Sequence, residues 1–511
     1  MAKQYALSDD SVVVVIGSGA GGGTVSNELA QKGIDVVCLE AGSRLTLADV
    51  ENDPPSMDAK MGWHDKRIGA FLWVCKTVGG TTMRWSGVTP RLQEHEVRAL
   101  TTYGQIDAGT TLIDWPLALG ELAPYYDKAE LKMGVSGTHG IPLSDENNNY
   151  KVFNAGANLA GYKQITSGRM AINPVALDGR PGCQQIGFCN AGCAIGAKWS
   201  TLYTEIPKAD LTGHFELRAN SMAVRINHDK TGKITGVVYQ GESGELHEQK
   251  ARAVCVAGNV VETTRILLNS DSALFPQGLA NSSGQVGRNY MRHTFGAAIA
   301  VMPQPVNVHR GARQTGILFD EQIHDPGRGF AGGYQLQAHG FDPLTTSNII
   351  GGWGSEHTQF LDNYTKLAGL FITGEDPPEA DNRISLHPNE RDANGLPVPV
   401  IEYRNHANTN AMRDHAIAAS QRIYESLGAK HFWGGDAPVG CHNMGVARMS
   451  ADPKDGVTNR WGQAHDVPNL FVSDGSVFSS SGAGNPTLTI VALAIRQADH
   501  IAERMSQKML Y

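Results

Sequence analysis

Residues 11–40 read SVVVVIGSGAGGGTVSNELAQKGIDVVCLE, and the fold is decided there. Val12 to Ile16 form a β-branched run without polar alternation, which predicts a strand buried on both faces, as in a parallel sheet. Gly17, Gly19 and Gly22 follow at once. In a dinucleotide-binding turn the first glycine permits the bend, the second lets backbone approach a pyrophosphate and the third lets helix pack on strand. With Ser18 and Ala20 they would place phosphates on the amides and positive dipole end of a helix starting near Gly22. Gly33 breaks that helix, Ile34 to Leu39 make a second strand, and Glu40, followed by Ala41, stands where a carboxylate meets ribose hydroxyls. Glycine spacing alone is weak evidence, since a glycine-rich turn needs no ligand. Here strand, glycines, helix, strand and acid occur in the required order.

At 511 residues the chain is long enough for two or three domains with a large core. Its 59 glycines suit close backbone approach to a ligand. The net charge of −8 and the lack of any Lys/Arg-rich run argue against nucleic acid as a partner. The first residues, MAKQYALSDD, lack the pattern of a secretion signal, and no apolar run is long enough to span a bilayer. A soluble chain is expected, either cytoplasmic or exported bound to another protein.

Seven cysteines, an odd number, argue against a disulfide framework. Cys38 and Cys255 lie in apolar strand-like runs and read as core residues. Cys183, Cys189 and Cys193 lie in GCQQIGFCNAGCAIGAK, residues 182–198, among glycines that let a loop wrap a small object. Thiolates so close favour soft metals or iron-sulfur clusters. Three ligands suit a three-iron cluster; a zinc site completed from afar and plain loop cysteines are the alternatives.

Along the chain, residues 42–69 read as a polar surface excursion, and Gly79, Gly80, Thr81 and Thr82 as a loop fit to press on a phosphate or an isoalloxazine edge. Tyr103 to Gly134 is expected to be mostly helical. LRANSMAVRINH, KITGVVYQ and ARAVCVAG read as strands, the last running through GNVVETTRILLNS into a helix beside the first unit. Residues 295–401, with stretches such as FAGGYQLQAHG and NIIGGWG, predict a large antiparallel sheet. Asn408 to Leu427 reads as a helix. Leu470 to Ser473 is a short strand ended by Asp474, and Asn485, Pro486 and Thr487 cap a helix from about Leu488 to Met505. A nucleotide-binding fold that returns to its first strand in this way suggests FAD, with Asp474 placed at the pyrophosphate-ribityl part. The expected class is α/β, α+β overall, with a Rossmann-like FAD-binding domain built from separated segments and a substrate domain with a large antiparallel sheet. Residues 1–294 would be mainly the first, 295–405 mainly the second, and 406–511 a return to the first with catalytic residues.

GSGAGG with LEAG, VGGTT, VGRN, CHNMGVARM and VSDGSVFSSSGAGNPTLTIVALA, in this order over nearly the whole chain, resemble the glucose-methanol-choline oxidoreductases. The resemblance implies oxidation of an alcohol by hydride transfer to flavin N5. DGRPGC followed by CNAGCAIGAK looks like the catalytic subunits of bacterial flavin dehydrogenases for sugars, gluconate or polyols. That likeness implies a [3Fe-4S] cluster on Cys183, Cys189 and Cys193, a multihaem cytochrome c as electron acceptor, and a small partner subunit that carries the chain to the periplasm. One departure is Met83-Arg84-Trp85, where such relatives commonly have histidine or asparagine.

An alcohol that loses hydride must also lose its hydroxyl proton, and neutral imidazole is the natural acceptor. His442 matches the family's active-site histidine and Asn485 its hydrogen-bonding partner, although Asn485 could also cap a helix. His293, His406 and His465 lie in connecting segments and read as structural or rim residues. Rival readings are an oxygen-using oxidase with incidental cysteines, a lyase that keeps flavin as scaffold, and a non-catalytic nucleotide-binding module.

Overall fold

The computed structural model describes residues 3–70, 72–437 and 441–510. Val13–Ile16, buried throughout, is the middle strand of a five-stranded parallel sheet. The order across that sheet is Leu470–Val472, Ala253–Val256, Val13–Ile16, Val36–Leu39, Phe215–Arg218. Val15 lies between Cys38 and Cys255 in register, so both strand cysteines are core residues, as expected.

The crossover helix is Ala20–Gln31. It starts two residues before the predicted Gly22 because Gly19 is still extended and hands the chain straight into the first turn. The glycines hold the layers together by what they omit. A Cβ on Gly17, whose φ is +95°, would stand 2.4 Å from the Ala257 carbonyl oxygen, and one on Gly22 would stand 1.9 Å from that of Gly17. Gly21, not singled out by the sequence, is tighter still: its Cβ would lie 1.5 Å from the Ser473 oxygen. The returning strand Leu470–Val472 is therefore seated against the first turn of the crossover helix.

A six-stranded antiparallel sheet packs over this domain, ordered His431–Asp436, Thr294–Val301, Leu367–Gly374, Tyr334–His339, Gln314–Leu318, Ile165–Thr166. Helix Ala407–Glu425 lies on it. Its two edge strands come from outside residues 295–401. A smaller antiparallel sheet consists of Met222–His228, Ile234–Gln240 and Leu246–Lys250. Leu246–Lys250 was not anticipated; Ala253–Val256 stands beside Val13–Ile16 in the parallel sheet, as expected of the strand-to-helix passage it opens.

Two local expectations fail for identifiable reasons. Between helices Ala99–Tyr103 and Leu119–Met133 the chain is irregular. Gly104 takes φ +69°, and the Asp107 carboxylate accepts the backbone N–H groups of Gly109 and Thr110 at 2.8 and 3.2 Å, a local bonding pattern that competes with helix. NIIGGWG is not a strand: its first residues finish helix Pro343–Ile350, whose N-cap Asp342 accepts from Thr345 N at 2.8 Å. Among the described residues no helix is long and apolar enough to cross a membrane.

Candidate active site

A cavity of about 490 Å³ runs from the glycine turn to the inner face of the antiparallel sheet. Gly17, Ser18, Gly19, Ala20, Glu40 and Ala41 line one end. Gly80, Thr81, Thr82, Asp474, Pro486 and Thr487 line its middle, with His442 and Asn485 facing the sheet. Gly22 and Gly79 do not line the wall. Gly22 packs the helix on the turn, and Gly79 donates its N–H to Ser18 Oγ at 3.0 Å.

The turn is shaped for a diphosphate. No side chain caps helix Ala20–Gln31 and its first turn carries no acid, so its leading N–H groups remain available to an anion. A Cβ on Gly19 would meet nothing nearer than Gly80 Cα at 3.8 Å, which marks open room at the helix start. The Glu40 carboxylate accepts from Ser18 N and Ser18 Oγ on one oxygen, at 3.0 and 2.7 Å, and from Gly42 N on the other, at 3.0 Å. Burial pushes its pKa up. Asp474 is raised for the same reason and accepts from Thr263 Oγ1 at 2.6 Å and Ser476 N at 2.9 Å. These contacts hold both acids in place with lone pairs left for a ligand's hydroxyls. Arg84, at the family departure, is 3% exposed, paired with Asp58 and stacked 4.0 Å from the Trp73 ring.

At the other end a chain of hydrogen bonds fixes both catalytic candidates. His293 Nε2 lies 3.3 Å from the Ser481 carbonyl oxygen, which can only accept, so that nitrogen carries the proton. Burial lowers the His293 pKa to about 4, so the ring is neutral and Nδ1 is a bare acceptor. The 2.8 Å contact between His293 Nδ1 and His442 Nδ1 then requires His442 to donate, which leaves His442 Nε2 unprotonated, an acceptor. Asn485 Nδ2 donates to that nitrogen at 3.2 Å. The orientation of the amide agrees with a run of donors that ends at Glu96. Gln337 Nε2 donates to Asn485 Oδ1 and Gln335 Oε1, at 2.7 and 2.9 Å; Gln335 Nε2 donates to Gln322 Oε1 at 3.0 Å, and Gln322 Nε2 to Glu96 Oε1 at 3.1 Å. The same Glu96 oxygen accepts Ala483 N at 2.7 Å, anchoring the loop that carries Asn485.

Asn485 therefore does not cap the last helix, Thr487–Ser506, which has no side-chain cap. His293, read from sequence as a bystander, sets the tautomer of His442; its only sequence signal is its place at the end of the VGRN segment. His406 is structural, bonding Asp107 at 2.8 Å and capping Ala407–Glu425 through Asn408 N. His465 contacts Ser450 Oγ at 3.2 Å.

Models of a known family, described as GMC oxidoreductase, match residues 5–295 and 378–494. The chain belongs to the GMC oxidoreductases. It is accordingly an FAD-dependent oxidoreductase acting on CH–OH groups. This GMC oxidoreductase is 34% identical over 541 residues to 2-methyl-1,2-propanediol dehydrogenase of Mycolicibacterium austroafricanum, covering 98% of the chain and 96% of that protein. It is 26% identical to the fructose dehydrogenase large subunit of Gluconobacter japonicus, covering 97% and 98%. Pyridoxine 4-oxidase from Mesorbium loti shares the fold with a TM-score of 0.68 at 16% identity, over 96% of this chain and 99% of that one.

The cysteine loop of this GMC oxidoreductase abuts the same cavity through Asn190. Among the described residues the cysteine sulfurs do not form a three-ligand set closing within 4.8 Å; the sets that do are His95, Glu96, Glu375 and Asp127, Glu130, His139. The arrangement by itself shows no cluster. It also does not suit one zinc ion, whose thiolates at about 2.3 Å must converge more tightly. Each sulfur does accept a backbone N–H at 3.4 Å: Cys183 from Gln185, Cys189 from Arg313 and Cys193 from Lys198. The fully buried Lys198 ammonium donates to the carbonyls of Met83, Trp85 and Cys189.

Burial, with a smaller contribution from His293, holds the His442 pKa well below its ordinary 6.5. A base at His442 must be neutral to act, so the expected activity is lost only as pH falls through that lowered value. The rate of anaerobic flavin reduction is expected to stay level from pH 8 to 6.5 and to decline only well below 6.5; a stopped-flow profile with its midpoint at 6.5 or above would contradict the assignment. Stability follows the same sign. From pH 6.5 to about 4 the unfolded chain binds a proton at His293 that the folded chain excludes, so unfolding becomes easier as pH falls.

Proposed function

We propose that this enzyme is a dehydrogenase that oxidises an alcohol carbon of a sugar, sugar acid, glycoside or polyol and passes the electrons to an acceptor outside the chain. The observation that carries the chemistry is the unprotonated His442 Nε2, which accepts from the Asn485 Nδ2 donor in the cavity. A substrate hydroxyl that donates to His442 and accepts from Asn485 has its proton taken as its carbon is oxidised, and the alkoxide charge is met by the amide. FAD, when bound, supplies the hydride acceptor. On this chain Gly17, Ser18, Gly19, Ala20, Glu40, Ala41, Gly80, Thr81, Thr82, Asp474, Pro486 and Thr487 would hold it, with Gly22 and Gly79 shaping the turn behind.

The finer reading assigns Cys183, Cys189 and Cys193 to a [3Fe-4S] cluster, which would supply one-electron transfer. Three N–H donors to three sulfurs and a buried ammonium support it, since both stabilise thiolate charge. Asn190 sits between two of these cysteines in the cavity wall, which makes the path from the flavin end short. A cytochrome c partner, a small export subunit and a periplasmic location follow from the same reading; the relative's name, fructose dehydrogenase large subunit, speaks of a multi-subunit enzyme.

The test is anaerobic mixing of the purified holoenzyme with a panel of sugars and polyols, with iron analysis and low-temperature EPR. Loss of the flavin's visible absorbance and about three irons per chain are expected. Hydrogen peroxide on turnover without iron would replace this reading by the oxidase, and no bleaching by any alcohol would replace it by the lyase.

A further inference from the structure

Beside the catalytic pair the cavity wall turns from polar to aromatic. On Thr294–Val301 and Leu367–Gly374, neighbouring strands of the six-stranded sheet, Phe295 pairs with Thr373 and Ala297 with Phe371. Alternate residues of a strand share a face, so Phe295 and Phe371 project from the same face as diagonal neighbours, with ring centroids 6.4 Å apart. Both rings are half-buried and line the cavity. Phe295 lies 5.0 Å from the His442 ring. Phe371 stands opposite Gln337 in register, and Gln337 donates to Asn485. The two rings thus form one surface that starts at His442 and ends beside the residue that orients Asn485. Ile349, near the end of helix Pro343–Ile350, packs on the same apolar cluster and also lines the cavity. His339 and Phe341, at 4.3 and 5.1 Å, hold the Phe371 ring in place.

We infer that Phe295, Phe371 and Ile349 bind an apolar part of the substrate near the carbon that is oxidised, and that they select an alkyl group or a C–H face there over a hydroxyl. None of the three side chains can donate or accept a hydrogen bond. A hydroxyl pressed on them loses water and gains no partner, which costs binding, whereas a methyl or methylene group gains by leaving water. Because the surface begins at the His442 ring, the part of the substrate it reads lies within a few bonds of the hydroxyl that His442 and Asn485 hold. The inference rests on the alcohol-oxidising reading above and narrows it: among polyols it favours those with a carbon bare of oxygen close to the reacting one.

The experiment measures kcat/KM for anaerobic flavin reduction by two isosteric pairs, 1,2-butanediol against glycerol and 1,2-pentanediol against 1,2,4-butanetriol, in which a terminal methyl group stands in place of a hydroxyl. A member that does not bleach the flavin is measured as a competitive inhibitor of reduction by the best substrate of the panel. Wild type, Phe371→Asn, Phe371→Leu and Ile349→Asn are compared, and visible absorbance and melting temperature confirm that each is folded and carries FAD. The wild type is expected to favour the methyl member of each pair by about tenfold or more, mostly through KM. Phe371→Asn and Ile349→Asn should reduce that preference to about threefold or less, and Phe371→Leu, which stays apolar, should keep most of it. A merely structural role would weaken both members of a pair alike and leave their ratio unchanged. That result, or a wild type that favours the hydroxyl member or favours neither, would overturn the inference. Absence of bleaching by every alcohol would instead overturn the reading on which it rests. If Phe371→Asn does not fold, Ile349→Asn and the wild-type pairs still decide.

Discussion

Replacing His442 by alanine is expected to slow anaerobic flavin reduction by about 10²–10⁴-fold while FAD stays bound. The size follows from what is removed. Nε2 of His442 is the unprotonated nitrogen that accepts from Asn485, and the amide, a donor there, cannot take the hydroxyl proton in its place. FAD should stay because the glycine turn, Glu40 and Asp474 are fixed by contacts that do not pass through His442. Stopped-flow reduction with saturating substrate is the check, and reduction within tenfold of wild type would remove His442 from its role. His293→Phe should show a smaller loss, because it only frees the tautomer.

A second large effect separates two adjacent roles in the glycine turn. Gly21→Ala is expected to cost about 3 kcal/mol or more and to yield protein with little FAD. The new Cβ would stand 1.5 Å from the Ser473 oxygen, and neither the helix nor the returning strand can give way by itself. Gly19→Ala meets nothing within 3.8 Å, so the fold should survive while FAD affinity falls, because the methyl group occupies the room a phosphate needs. Thermal melts with flavin absorbance distinguish the two. Equal melting temperatures for both variants would contradict the packing described for Gly21.

The contrast also shows which parts of the molecule were readable. Val12 to Glu40 could be read because its signals are local: an apolar run, glycines at fixed spacing and an acid after the second strand. Gly21 escaped because the atom that forbids its side chain belongs to Ser473, near the other end of the chain. His442 and Asn485, singled out by their motifs, meet in the cavity, whereas His293 could not be singled out, since its contact is with a partner 149 residues away. The alternation YQLQAH announced a strand, yet that Gln337 orients Asn485 could be seen only after the sheet closed over the cavity. Asp107 and Asp342 misled for a different reason. Their side chains bond to nearby backbone and override the periodicity that suggested a helix after Tyr103 and a strand at residues 348–354.

The most direct measurement of the whole account is a crystal structure with FAD bound. The diphosphate is expected at the start of helix Ala20–Gln31 beside Gly19, and His442 Nε2 and Asn485 Nδ2 are expected against the reactive edge of the isoalloxazine. A flavin ring seated away from that pair would contradict it.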